Sequence, residues 1–223
     1  MTSRIFAIGD VHGCHVALTT MLRLVQPTAE DTVVFLGDVV DRGPATKECI
    51  DEILLLQERC FVISIMGNHE EMMQGAIRKS VGWQFWHEVG GAEALASYGG
   101  SLDNIPESHL HWLSSLRPFY ETATEIFVHA NLEPRVTLAN QTADYLRWRP
   151  VNGGEEPHYS GKRVICGHTA QRSGFPLTFA GWVCLDTDAY QMQWLTCLDV
   201  TTDHVWQTNE IGQSREFELA ECA

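Results

Sequence analysis

Six side chains suited to hard divalent cations recur along this chain, most of them beside glycine. Asp10 and His12 lie in Gly9-Asp10-Val11-His12-Gly13, and Asp38 in Gly37-Asp38-Val39-Val40-Asp41-Arg42-Gly43. Asn68 lies in Gly67-Asn68-His69-Glu70, and His129 and His168 in Val128-His129-Ala130 and Gly167-His168-Thr169. Such cations take carboxylate oxygens, imidazole nitrogens and amide oxygens, and one carboxylate can bridge two of them. Asp10 and His12 alternate on an extended segment, so their side chains can point the same way. With Asp38 they make a first site; Asp38, Asn68, His129 and His168 make a second, with Asp38 as the bridge. Two ions roughly 3.5–4 Å apart can activate a water and clamp a phosphoryl group. The chemistry open to this set is in-line attack of a bridging hydroxide on a phosphate ester, without a covalent phosphoenzyme. Arg42 offers a planar fork for phosphate oxygens. With Asn68 as the ligand, His69 is free to protonate the leaving oxygen, and Asp41 is the candidate carboxylate to orient it.

These residues need elements to hold them. Residues 3–8 read as a strand ending in Gly9-Asp10, and a helix follows from about His15 to Val25, with Leu18, Met21, Leu22 and Val25 at helical spacing. Residues 32–36 form a second strand-like run, and Pro44 can open a helix carrying Ile50, Ile53, Leu54 and Leu56. Residues 61–66 form a third run before Gly67-Asn68. Strand, ligand, helix: this order repeats as in an α/β sheet, where ligands gather at the carboxyl ends of strands. Residues 70–120 read as mainly helical, with Trp83, Trp86 and Trp112, breaks at Gly90-Gly91 and Gly99-Gly100, and Pro106 opening another helix. Strands are expected again at 125–128, 162–166, 182–185 and 192–198, with a loop at 152–157. Without an internal repeat or linker, residues 1–223 are expected to form one domain.

Composition narrows the classes. With 44% hydrophobic and 20% charged residues, 223 residues can bury a sizeable core. A net charge of −14 argues against stable nucleic-acid binding and would repel an anionic substrate at long range, unless cations offset it locally. The absence of an eighteen-residue apolar stretch argues against a membrane span, and Met1-Thr2-Ser3-Arg4 does not resemble a signal peptide. The seven scattered cysteines contain no C-x-x-C pair and fit reduced thiols in a cytoplasmic protein, with Cys166 and Cys184 as core residues. His15, His87, His109, His111, His158 and His204 fall outside the motifs and read as surface or core residues. The tryptophans read mainly as core. Glu70 and Glu71 read as stabilising the start of the helix they enter.

On these motifs the chain resembles the phosphoprotein phosphatase family of the calcineurin-like metallophosphoesterases, specifically its short bacterial and phage members. The blocks G-D-x-H-G, G-D-x-x-D-R-G, G-N-H-E, H-G/A and G-H-T match in order, over about residues 4–187. The resemblance implies an α/β fold with two mixed β-sheets in a sandwich flanked by helices. It implies two metals at one edge, commonly manganese, with iron, zinc, nickel and cobalt as alternatives. It implies His69 with Asp41 as the general acid pair, and Arg42 and Asn68 as phosphate contacts. A second phosphate-binding arginine falls in Leu146-Arg147-Trp148-Arg149, with Arg149 favoured and Arg147 the alternative. Asn131 and Asp188 stand where the family commonly has glycine.

The expected activity is metal-dependent phosphomonoester hydrolysis of a phosphorylated protein or peptide by a monomeric serine/threonine phosphatase, with phosphotyrosine and aryl phosphates open as further substrates. The nearest rival is symmetrical bis(5'-nucleosyl)-tetraphosphatase activity. Those relatives tend to lack the counterpart of Asp41 and to read G-N-H-D, and the interval from His129 to His168 is short for them. A polynucleotide-end phosphatase and a non-catalytic phosphate-binding scaffold are the remaining alternatives.

Overall fold

Alternation along the first strand sets the layering. In β1 (Ile5–Ile8), Phe6 and Ile8 pack among helices, while Ala7 faces a second sheet. The next strand repeats the division, with Val33 and Phe35 of β2 (Thr32–Phe35) on the helix side and Val34 on the sheet side. The computed structural model describes residues 3–79 and 82–219, so Met1, Thr2 and Cys222 lie outside the described residues.

The first sheet joins β1 and β2 in parallel with β3 (Phe61–Ser64). Helix α1 (His15–Val25) and helix α2 (Thr46–Gln57) make the crossovers. The second sheet has the order β4 (Tyr120–Glu121), β5 (Glu125–Phe127), β6 (Arg163–Cys166), β8 (Trp182–Cys184) and β7 (Leu177–Phe179), with β5, β6 and β8 parallel. An inter-sheet core including Leu36, Phe127, Ile165 and Leu198 joins the two. Helix α3 (Asn68–Ile77), α4 (Trp83–Trp86), α5 (Ala92–Ser97) and α6 (Glu107–Ser115) lead from the first sheet to the second, and α7 (Ala143–Trp148) follows β5. The expected sandwich of two mixed sheets flanked by helices is present.

Three local expectations shift. Helix α2 starts at Thr46 rather than at Pro44, because the Thr46 hydroxyl accepts from Asp41 N in the preceding turn. Strand β9 (Leu195–Asp199) starts three residues late, since a short turn at Ala189–Gln191 and a left-handed Met192 precede it. The hairpin of β10 (His204–Thr208) and β11 (Ser214–Glu218) completes the first sheet; β11 carries too few apolar residues to signal a strand locally.

The six cysteines among the described residues are buried and unpaired with one another. No helix among the described residues is long and apolar enough to cross a membrane.

Candidate metal centre

Because β1, β2 and β3 run parallel, as do β5, β6 and β8, their carboxyl ends deliver side chains to shared edges. Asp10 lies two residues after β1, Asp38 three after β2, and His129 and His168 two after β5 and β6. Asn68 and His69 open α3 just beyond β3. Gly167 N donates to His129 O at 2.7 Å within the second sheet's edge, and His168 N donates across to the Asp10 carboxylate of the first at 3.1 Å.

Much of this edge is strained. His12, Asp38, Asp41, Arg42 and His168 all have positive φ between 46° and 71°, a region that costs non-glycine residues about 1–3 kcal/mol each. Gly67 is needed for another reason. A Cβ there would fall on Asp38 Oδ1 and on the Asp38 amide.

The histidines divide into three and one. His12 Nδ1 lies 2.9 Å from Val40 O, His129 Nδ1 2.9 Å from Leu36 O, and His168 Nε2 3.2 Å from Trp148 O. Carbonyls only accept, so each outer nitrogen carries the proton and the inner one presents a lone pair. His129 Nε2 and His168 Nδ1 both lie 3.0 Å from Asn68 Oδ1, so three acceptors meet with no proton among them. Asp38 joins both clusters, with Oδ1 3.4 Å from His129 Nε2 and Oδ2 3.5 Å from His12 Nε2. This is a donor set that fits a cation. Burial pushes His12 well below its ordinary pKa, His129 down to about 4, and His168 lower as well, which favours the neutral ligand form. Burial opposes charge on Asp38, yet the surrounding His129, His69 and His12 hold it well below the usual carboxylate range. Burial, Asp186 and Asp38 together drive Asp10 up, a repulsion that a cation would relieve.

His69 is the exception. Its Nδ1 lies 2.8 Å from Asp41 Oδ2, and its Nε2 lies 4.0 Å from Asp38 Oδ2. Burial lowers its pKa, but the Asp38 charge and the hydrogen bond and charge of Asp41 raise it above the ordinary value. His12, Asp38 and His69 also form one of two clusters able to hold a metal, the other being Asp38, His129 and His168. Arg42 reaches the same edge, its Nη1 3.2 Å from His12 Nε2 and its guanidinium 4.8 Å over the Tyr190 ring.

The structure separates the two candidate arginines after α7. Arg149 points outward, 60% exposed, and pairs with Asp144. Arg147 is mostly buried against Glu71 and lines a cavity that also includes Met66, Met72 and Trp148. Asp188 occupies a left-handed position at φ 64°, which accounts for a glycine preference there. Asn131 is buried and donates to Pro150 O.

Other residues at the site escape local sequence patterns. Glu70 does stabilise the start of α3 by accepting from Gly67 N, but it also accepts from Asp38 N, Val39 N and Val40 N. The buried Trp86 donates its indole N–H to Asp41. Burial, with Asp38 and Asp188 nearby, pushes Asp186 up to about 7 despite the Asp188 N–H it accepts. The signal for Asp186 was its place just after a parallel strand; for Trp86 there was none.

Parallel strand ends of an α/β sandwich thus gather a buried donor set able to hold divalent cations. Residues 3–172 match the family model for calcineurin-like phosphoesterases, and the chain belongs to that family. A 64-residue stretch is 41% identical to a symmetrical bis(5'-nucleosyl)-tetraphosphatase of Burkholderia pseudomallei, covering 29% of this chain and 22% of that protein. The chain thus spans about a fifth of the length of the curated relatives it matches. A solved structure titled as a candidate diadenosine tetraphosphatase superposes with TM-score 0.69 at 20% identity, over 97% of this chain and 94% of that one. A cold-active protein-tyrosine phosphatase of a psychrophilic Shewanella gives TM-score 0.67 at 17% identity, over 98% and 81%. At these identities the two structures support the fold alone.

Metal binding should register in stability. Manganese at about 100 times its dissociation constant is expected to stabilise chelator-treated protein by about 2.7 kcal/mol for one site. A melting temperature indifferent to manganese, zinc and iron would contradict the ligand assignment.

Proposed function

We propose that the protein is a phosphomonoesterase acting on phosphoserine and phosphothreonine in proteins or peptides, with phosphotyrosine as a further substrate. Asp10, His12 and Asp38 hold one divalent ion, and Asp38, Asn68, His129 and His168 a second, manganese being the proposed metal. When bound, the ions supply a hydroxide nucleophile and positive charge opposite the phosphoryl oxygens. Arg42 binds and orients the phosphoryl group, stacked on Tyr190 and held at the metal edge. His69 gives its Nε2 proton to the leaving oxygen, and Asp41, fixed by Trp86, keeps the ring oriented and cationic.

The observation that supports this reading best is the division of the histidines. Three have their outer nitrogens bonded to carbonyls and their inner nitrogens turned to Asp38 or Asn68, while the fourth is tied to a buried carboxylate. A leaving alkoxide needs a proton, and a His–Asp pair beside the ligands is suited to provide it.

The similarity to a symmetrical bis(5'-nucleosyl)-tetraphosphatase favours dinucleotide cleavage as the second reading. Side-by-side rates decide between them. Phosphate release from a phosphoserine peptide is expected to exceed cleavage of diadenosine tetraphosphate in kcat/KM; dominance of the dinucleotide would overturn the proposal.

A further inference from the structure

Beside the metal centre, a cavity of about 680 Å³ runs along α3. The helix that starts with Asn68 and His69 in the site continues with Glu71, Met72, Gly75 and Arg78 on the cavity wall. Steps of three and four residues put these positions on one helical face. Gly75 carries no side chain into the space, and the opposite wall includes Phe85 and Trp148, both substantially exposed. The near end is tied to the site: Glu71 accepts from Trp148 Nε1 at 2.7 Å, and Trp148 O accepts from His168.

The charges along this groove are uneven. Glu71 is occupied by both Arg147 and Trp148. Arg78, at the far end, is exposed and has no carboxylate partner among the described residues. A cation is thus left unneutralised on a protein of net charge −14. Nine residue steps along α3 and onto its C-cap lead from His69 to Arg78, roughly 13.5 Å at 1.5 Å each. An extended peptide rises about 3.3 Å per residue, so that distance is spanned by about four residues.

We propose that this groove binds the segment flanking the phosphorylated residue of a peptide substrate, taking apolar side chains against Met72, Phe85 and Trp148. Arg78 then selects a carboxylate about four residues from the phosphorylated position. This specificity rests on the phosphopeptide reading above. Exposed ion pairs are weak, so the preference is modest, about threefold to fivefold at its upper range.

The test uses phosphoserine peptides of one sequence carrying Glu, Ala or Lys four residues before or after the phosphoserine. At one of the two positions, kcat/KM is expected to favour Glu over Lys several-fold, and Arg78→Glu should reverse that order. Hydrolysis of p-nitrophenyl phosphate, too short to reach Arg78, checks that the variant's site is intact. No charge preference, or one that survives Arg78→Glu unchanged, would overturn the groove assignment while leaving the phosphopeptide reading standing. Failure to hydrolyse any of the peptides, with p-nitrophenyl phosphate turned over, would sink both. Cleavage of diadenosine tetraphosphate that depends on Arg78, with the peptides untouched, would give the groove to a dinucleotide instead.

Discussion

Replacing His69 with asparagine is expected to lower turnover of a phosphoserine peptide by about 10²–10⁴-fold, the usual contribution of a general acid, with both metals retained. The expectation rests on the 2.8 Å contact between His69 Nδ1 and Asp41, which leaves Nε2 facing the ligand edge. Since His69 also belongs to a metal-capable cluster, the variant's metal content must be measured alongside its rate. If occupancy collapses and refilling restores the rate, His69 is a ligand and the acid role is wrong. The pH profile gives a second reading of the same pair. The folded-state pKa of His69 lies above its ordinary value, so the cationic acid is present at low pH and is lost as pH rises through that pKa. Activity should therefore fall on the alkaline side. Asp41→Asn removes part of what raises the pKa, so the fall should begin at lower pH. An unchanged alkaline limb would remove Asp41 from the role of orienting partner.

Glu70→Ala should damage stability and metal binding together. In the native protein the Glu70 carboxylate accepts from four amides, those of Gly67, Asp38, Val39 and Val40, at 2.7–3.2 Å. Each buried donor left without an acceptor costs about 1–3 kcal/mol, so with some relaxation the total is about 4 kcal/mol or more. For a domain of this size that lowers the melting temperature by about 8–16 °C. Because three of the amides belong to the turn carrying Asp38, metal affinity should weaken as well. Glu70→Asp, one methylene shorter, should show the same signs to a smaller degree. A variant that melts like wild type and keeps its metal affinity would show that water satisfies those amides, making Glu70 dispensable. The group is finely balanced: burial and the facing Asp38 push it up to about 7 against the pull of its N–H donors.

The order of ligand-bearing motifs, the strand–helix repetition that carries the first three, and the bounds of α1 follow from the sequence by itself. These depend on neighbours within a few residues: side-chain periodicity sets the buried face, and a glycine beside a ligand marks the end of a strand. The two-sheet sandwich was legible through the resemblance of the motifs, whereas β11, with one phenylalanine among polar residues, was not. Only tertiary structure decided which histidine nitrogens carry protons, because those bonds reach from His129 to Leu36 and from His168 to Trp148. It likewise brought Trp86 to Asp41 across 45 residues and Tyr190 under Arg42. In Leu146-Arg147-Trp148-Arg149 the motif favours Arg149 over Arg147 but says nothing of where either side chain points. The turn of α7 and the place of Glu71 and Asp144 separate them, sending Arg147 into the groove and Arg149 to solvent. Residue type and local spacing specify which chemistry is available; packing of distant strands specifies the direction in which each group offers its lone pair or proton.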